Sequence, residues 1–424
     1  MSPRGWRRLS ADSWSDSMLE MKRTTIGALG RLFDGPHATP TRRSDGPYFL
    51  NIASLKSGRL DLSESDHVSE EDFVRWTRRV TPRAGDLLFS YETRLGEAAL
   101  MPEGVTACLG RRMALLRPDR SVVDPRFLLY FYLSPSFQRA IATNTIHGAT
   151  VPRIGLSTMP AWEIAIPSLS KQKAIADVLG ALDDKIAAND QVAVTALSLA
   201  DALFAASLQR DAGTPITIGE LADRGVLAQG DGYRTKQAEH GQPGFRILRA
   251  GDIRDGRVVP EGTDFVSESY ARQIGQKASR PNDIVMTTKG SVGRVAVVPP
   301  DLETVVYSPQ ICYFRVLSED ALDRGYLAAW FRSSDLQTQA SQLMFKSDMA
   351  PYINLRDIRS LTVPVPSRTE QRKQGELQRS LLDIIHAAHS ESRRLGRTRD
   401  ELLPLLMSGK IRVREVEKIV EGVV

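Results

Sequence analysis

The sequence predicts a mixed α/β (α+β) fold with an internal pseudo-two-fold repeat. Two similar globular domains are separated by two long antiparallel α-helices that form a coiled coil. Three observations carry this expectation. The 424-residue chain repeats its motifs in order at a nearly constant interval. Each copy closes on a short alternating strand and a proline. Each proline is followed by a long run with one apolar residue every three or four positions, the 3.5-residue average of a coiled-coil seam.

The repeat is the strongest signal, because missing one miscasts the whole fold. IGAL (26–29) returns as IGEL (218–221), and YFLNIASLKSG (48–58) as FRILRAGDIRDG (245–256). RAGDLLFSYETRLG (83–96) returns as RPNDIVMTTKGSVG (280–293), and PRIGLSTMPAWEIAIP (152–167) as APYINLRDIRSLTVPVP (350–366). Each copy is domain-sized, too long for a solenoid unit. Apolar and glycine positions match while polar ones differ, so the copies share a core and carry unlike surfaces.

Within each copy, 86–91 (DLLFSY) and 283–288 (DIVMTT) read as short strands bounded by turn residues. Gly96 and Gly293 follow at the same distance, where a tight turn needs positive φ. Segments 127–140 and 326–336 read as helices from their apolar spacing, and 162–166 and 361–365 as strands leading to Pro167 and Pro366.

After Pro167 the seam runs Ile175, Leu179, Leu182, Ile186, Asn189, Ala193, Ala196, Ala200, Leu203. After Pro366 the apolar choice is Leu377, Leu381, Ile384, Ala388, Glu391, Leu395, Thr398, Leu402, Leu405. Ser170 and Thr369 are equivalent N-cap candidates, with Ser367 and Glu370 as an alternative capping box. Each helix should reach about 55 Å. Asn189 either fixes register in the seam or is solvated where the helices splay. Pro404 should kink or end the second helix.

The formal charge of +5 and a pI near 9.2 are compatible with nucleic acid. Arginine clusters in the first third, at Arg42–Arg43, Arg75 to Arg83 and Arg111–Arg112, and its planar fork suits phosphates and guanine edges. The opening lacks a signal-peptide core and the longest apolar run, FLLYFYL (127–133), is too short to span a bilayer, so a cytoplasmic location is expected. Cys108 and Cys312 sit in apolar surroundings and read as small buried hydrophobes. The sequence has no nucleophile elbow, Walker A loop or HExxH pair, and only His386 and His389 are helical neighbours among six histidines. No catalytic residue, metal site or cofactor is expected.

These residues carry a resemblance to the specificity (S) subunit of type I restriction–modification enzymes. It rests on the two-fold layout, on Ile166, Pro167, Gln172, Ile175, Ala176, Leu179, Leu182, Asp183 and Ile186, and on LLPLL (402–406) followed by SGKI (408–411). The resemblance implies target-recognition domains at 1–167 and 213–366, spacer helices at 168–212 and 367–413, and a tail at 414–424. Each recognition domain would read one half of a bipartite, asymmetric double-stranded DNA site. The helices would set the gap and dock two methyltransferase (M) subunits, with restriction (R) subunits joining through the complex. The chain itself would be non-catalytic. Gln172, Ile175, Leu179, Leu182, Ile186, Gln371, Leu381 and Leu402 are the expected spacer and partner-docking positions. QGELQR (374–379) departs from AIADVL in the first helix, which would make the two docking contacts unequal. Candidate DNA-binding residues are polar positions beside turns where the copies diverge: Arg42, Arg43, Arg94, Arg111 and Arg112, then Tyr233, Arg234, Arg249, Lys289, Arg294 and Lys346. The alternatives are a stand-alone two-headed DNA-binding regulator and a protein–protein scaffold that binds no DNA.

Overall fold

The computed structural model describes residues 21–36, 38–148, 151–211, 213–254, 256–344 and 352–416. Contacts divide the chain into one unit of Met1–Ala188 with Glu391–Val424 and a second of Asn189–Ser390. Each unit therefore contains one globular copy and one half of each long helix.

The two copies have the same topology. In the first unit a four-stranded sheet has the order Gly30–Asp34, Met113–Pro118, Leu87–Ser90, Ala98–Leu100. In the second the order is Leu227–Asp231, Ile311–Val316, Ile284–Thr287, Val295–Val297. A three-stranded sheet packs against each: Asp66–His67, Arg43–Leu50, Ala107–Leu109 in one, and Phe265–Ser267, Gly244–Leu248, Val305–Tyr307 in the other. In both, the last two strands pair in parallel, Tyr48 beside Ala107 and Arg246 beside Val305.

Side-chain alternation explains the layering. Successive residues of a strand face opposite ways, and the expected strand at 86–91 is buried on both faces. Leu87 and Phe89 join the core under the helices, while Leu88 joins Leu50, Leu109 and Leu115 between the two sheets. Ile284 and Met286 against Val285 repeat the division in the second copy. Gly96 and Gly293 take φ of 90° and 85°, as the turns require, and each carbonyl accepts from a glutamine amide, Gln138 or Gln337.

The helix expected at 127–140 is two helices, Pro125–Leu133 and Pro135–Thr143, and the second copy has Arg324–Arg332 and Ser334–Met344. The break falls at Ser134 and Ser333, both extended. Ser134 precedes a proline, which disfavours helical backbone, and its hydroxyl then caps the next helix. Apolar spacing runs through this break and hides it.

Beneath each four-stranded sheet lies an arginine–carboxylate pair. Arg117 donates to both oxygens of Asp86 at 2.9 and 2.7 Å, and Arg315 does the same to Asp283 at 2.7 and 2.6 Å. Each carboxylate also accepts a backbone N–H three residues earlier, from Arg83 or Arg280. Asp283 has one partner more, the Tyr307 hydroxyl at 2.6 Å.

The long helices are Leu169–Arg210 and Arg368–Met407. Each begins one residue before its N-cap candidate, Ser170 or Thr369, so Ser168 and Ser367 are the residues that precede them. The Ser168 and Ser367 carbonyls accept from the Gln172 and Gln371 N–H groups, and the Ser367 hydroxyl from the Glu370 N–H. On the first helix the expected seam is buried as far as Ala200, Asn189 included, and then moves from Leu203 to Phe204. On the second helix one column is as expected, at Leu381, Ala388, Leu395 and Leu402, but the other is one residue later. Gln378, Ile385, Ser392, Arg399 and Leu406 face inward, and Leu377 and Ile384 stay 36% and 47% exposed. A search for apolar residues misses this column because three of the five positions are polar, two of them bonded to the first helix. Gln378 donates to the Ala200 carbonyl at 2.8 Å within the second unit, and Arg399 to Asp183 at 2.7 Å within the first. In each unit the two helical halves run antiparallel.

The unusual QGELQR also has a steric origin. Gly375 lies where a Cβ would come within 1.8 Å of Asp323 Oδ1, and Arg379 pairs with the same carboxylate at 2.7 Å. Gly325 on the facing helix makes room there. In the first copy the sizes are exchanged: Gly180 makes room for Arg126, which pairs with Asp184. Arg against Gly becomes Gly against Arg, a paired exchange that preserves the volume between helices.

Pro404 does not end the second helix, which continues to Met407. It ends at Gly409 (φ 71°), with Lys410 N–H on the Leu405 carbonyl and Gly409 N–H on the Leu406 carbonyl, a Schellman stop. The first long helix is long and apolar enough, by length and composition alone, to cross a membrane, a feature that the count of unbroken apolar residues missed. Its buried alanines pack on the second helix within their unit.

Candidate nucleic-acid interface

In each unit three loops are laced together by backbone hydrogen bonds. In the first unit they are the turn after Leu87–Ser90, the turn before Met113–Pro118, and the segment entering Ile154. Tyr91 N–H donates to the Arg112 carbonyl at 3.2 Å, and Ile154 N–H to the Tyr91 carbonyl at 2.8 Å. In the second unit Thr288 N–H donates to the Gln310 carbonyl at 2.8 Å, and Ile353 N–H to the Thr288 carbonyl at 3.0 Å. Bridges Glu92–Arg153 and Lys289–Tyr352 complete each set. The same backbone platform thus presents different side chains, as a duplicated reading surface requires.

The first platform gathers Arg94, Arg111 and Arg112. Arg111 is exposed. Arg112, at φ 72°, pairs through Nε with Glu92 at 2.9 Å and reaches Thr93 Oγ1 at 3.4 Å. Arg94 turns away from the tip to donate to the Ile52 carbonyl at 2.9 Å. Ile52 lines a polar hollow with Arg42, which pairs with Asp66 at 3.1 Å. Arg43 lies at the start of Arg43–Leu50, 3.9 Å from Asp45. The five first-copy candidates therefore form two groups, Arg111 with Arg112 at the platform and Arg42 with Arg43 at the second sheet, with Arg94 reaching from one to the other. Burial and the neighbouring Glu92 raise the Tyr91 phenol above its ordinary range.

In the second unit Lys289 is exposed on the platform, and Arg294 donates to the Ile253 carbonyl at 3.3 Å much as Arg94 does to Ile52. Tyr233 N–H donates to the Tyr307 carbonyl at 2.7 Å, which brings Tyr233 and the exposed Arg234 beside the turn at 308–310. The Tyr233 hydroxyl reaches Gln273 at 3.3 Å. Arg249 is bound to Asp264. Lys346 lies outside the described residues. Sequence reasoning missed Gln310, Tyr352, Glu92 and Arg153. Gln310 had a legible signal, since aligning the copies through QIC (310–312) and RMA (112–114) sets it opposite Arg112.

The eight spacer and partner-docking positions are all buried within their units. Gln172 is buried, accepting the Asp124 N–H at 3.0 Å and donating to the Pro167 carbonyl at 2.9 Å. Gln371 makes the same pair of bonds with Asp323 at 3.2 Å and Pro366 at 3.0 Å. Ile175, Leu179, Leu182, Ile186, Leu381 and Leu402 are buried inside their units. The amides tie each long helix to its own globular copy, and the apolar residues form the helix seam. Cys108 and Cys312 are buried and free, and burial pushes the Cys108 thiol up to about 12. Among the described residues no group of His, Cys, Asp and Glu could hold a metal ion.

The model of the type I restriction modification DNA specificity domain matches this chain twice, over residues 55–194 and 215–392. The chain belongs to that family. Both matches contain one platform each. The sequence is 22% identical over 365 residues to the type I restriction enzyme MjaVIII specificity subunit of Methanocaldococcus jannaschii, covering 81% of this chain and 83% of that one. It is 23% identical over 385 residues to the EcoBI specificity subunit of Escherichia coli, covering 84% and 78%. The type I restriction–modification S subunit from M. genitalium has the same fold, with a TM-score of 0.56 at 19% identity over 92% of this chain and 96% of that one. Membership in the specificity family favours the two-domain DNA-recognition reading over both the regulator and the scaffold.

Proposed function

We propose that this chain is the non-catalytic, cytoplasmic specificity subunit of a type I restriction–modification complex. Each unit reads one half of a bipartite, asymmetric DNA site, and the long helices set the spacer. Two methyltransferase subunits dock on the helices and supply adenine methylation, and restriction subunits join through the complex. The observation that carries the reading is the pair of three-loop platforms, alike in backbone bonding and unlike in side chains, in a chain matched twice by the DNA-specificity domain. Because the seam residues are buried, partners meet other helix faces, among them the exposed Val192, Leu199, Leu377 and Ile384.

Mapping methylated adenines in cells that carry the chain with its methyltransferase tests this. A split motif with a fixed gap is expected, and adding one heptad to both helices, about 10 Å of length, should change the gap while leaving both half-motifs intact. A continuous motif, or an unaltered gap in the lengthened variant, defeats the respective part of the reading.

A further inference from the structure

The two platforms differ most sharply at one equivalent pair of positions. Arg112 and Gln310 each immediately precede the corresponding strand, Met113–Pro118 or Ile311–Val316, and each lends its carbonyl to the neighbouring turn. The residues that follow the bonded turn residues Tyr91 and Thr288 are also equivalent and opposite in charge, Glu92 and Lys289.

Arg112 holds a left-handed φ of 72°, a region that glycine enters at no steric cost and other residues enter with strain. A large side chain at a strained turn points to use of that side chain. Its Nε edge faces Glu92 at 2.9 Å and one Nη1 hydrogen reaches Thr93 Oγ1 at 3.4 Å, which leaves the other Nη1 hydrogen and Nη2 for a planar acceptor pair. Guanine offers such a pair in O6 and N7, and a glutamate can accept from the cytosine N4 amino group across the same base pair. Gln310 is exposed, and Lys289, at the position equivalent to Glu92, cannot accept a hydrogen bond. A glutamine amide, with one donor and one acceptor side, matches adenine N6 and N7.

We propose that residues 112 and 310 are the base-discriminating positions of the two units, Arg112 with Glu92 selecting a guanine–cytosine pair and Gln310 selecting adenine. The proposal rests on the DNA-specificity reading and assigns to it two residues and two bases. Arg94 and Arg294, bound to backbone carbonyls, hold their turns in shape.

The test maps methylation in cells carrying the full complex with wild-type chain, Arg112→Gln, Arg112→Lys or Gln310→Arg. The purified complexes are then titrated with duplexes varied at the single position that changes. Arg112→Gln should switch one position of one half-site from guanine toward adenine, a change of about ten- to a hundredfold in relative affinity. Gln310→Arg should make the opposite switch in the other half-site, and Arg112→Lys should keep overall binding while weakening the guanine preference. Gln310→Arg, at an exposed site, decides the matter even if Arg112→Gln fails to fold. Uniform weakening over all sequences, or unchanged motifs with methylation intact, overturns the assignment. A wild-type chain that gives no split motif overturns the functional reading instead.

Discussion

Replacing Arg315 by methionine, and Arg117 by methionine in a second protein, separates the energetic roles of the two copies. Both arginines embrace a carboxylate beneath the central strand, but their surroundings differ. The Arg315 and Asp283 side chains are 7% and 1% exposed, against 26% and 3% for Arg117 and Asp86. Removing one partner of a buried pair leaves an uncompensated charge, at a cost of about 3–5 kcal/mol. Arg315 also donates to Gln276 at 2.8 Å and to the Ala278 carbonyl at 3.1 Å, and those acceptors are orphaned with it. Water can reach Asp86 through the space that Arg117 vacates, which lowers the cost there toward that of a lost charged hydrogen bond, about 2 kcal/mol. Hydrogen exchange of the full chain should therefore show protection of Ile284–Thr287 falling about a thousandfold in Arg315→Met. Protection of Leu87–Ser90 should fall roughly thirtyfold in Arg117→Met. Adding Asp283→Asn to Arg315→Met should recover part of the loss, because the stranded charge is then gone. Equal losses in the two strands, or a double variant worse than the single, would refute the reasoning.

Three further outcomes are expected. Gln172→Leu and Gln371→Leu each orphan an N–H and a carbonyl at the root of a long helix, and chemical denaturation should show a loss of about 1–3 kcal/mol for each. Gly180→Arg alone should destabilise by overcrowding Arg126, and the double variant Arg126→Gly with Gly180→Arg should regain most of that loss by recreating the arrangement of Gly325 and Arg379; a thermal melt decides. Burial holds the Cys108 thiol at about 12 and raises the Tyr130, Tyr132, Tyr307 and Tyr326 phenols. All five are protonated in the folded chain at pH values where their unfolded counterparts have ionised. The stability they contribute is full below the ordinary thiol and phenol range and is lost as pH rises through it. Alkaline denaturation should then begin above about pH 9 to 10, and thiol reagents should react with neither cysteine at neutral pH until the chain unfolds.

Much of this architecture was legible because the chain states it twice. A strand such as DLLFSY is weak evidence alone, but its return as DIVMTT with a glycine at the same distance fixes strand and turn together. What remained hidden was polar. In the seam column, Gln378 and Arg399 are held inward by a hydrogen bond and an ion pair to the first helix, which leave no trace in a search for apolar spacing. The same search preferred Leu377 and Ile384, which lie one residue away and face outward. The break at Ser134 was masked because apolar residues continue on both sides. At the interface, arginine clustering located Arg111 and Arg112 but could not separate guanidiniums at the tip from those bound to backbone, as Arg94 is. Gln310 carries no charge and so attracted no notice, although its place opposite Arg112 was available from the repeat.

The two copies show where divergence is tolerated. Beneath the sheets the same carboxylate meets the same arginine, and at each helix root the same glutamine bridges the same two backbone groups. Changing one member of either set strands a buried polar group, so a single substitution there is costly. Between the helices, change came in compensating pairs, Arg126 with Gly180 becoming Gly325 with Arg379, because the volume is shared. At the platforms neither constraint applies. Backbone bonds lace the three loops together, and these bonds do not depend on the side chains at 92, 112, 289 and 310. The same backbone bonding therefore carries arginine with glutamate in one copy and glutamine with lysine in the other, which lets one scaffold acquire two different readings of DNA.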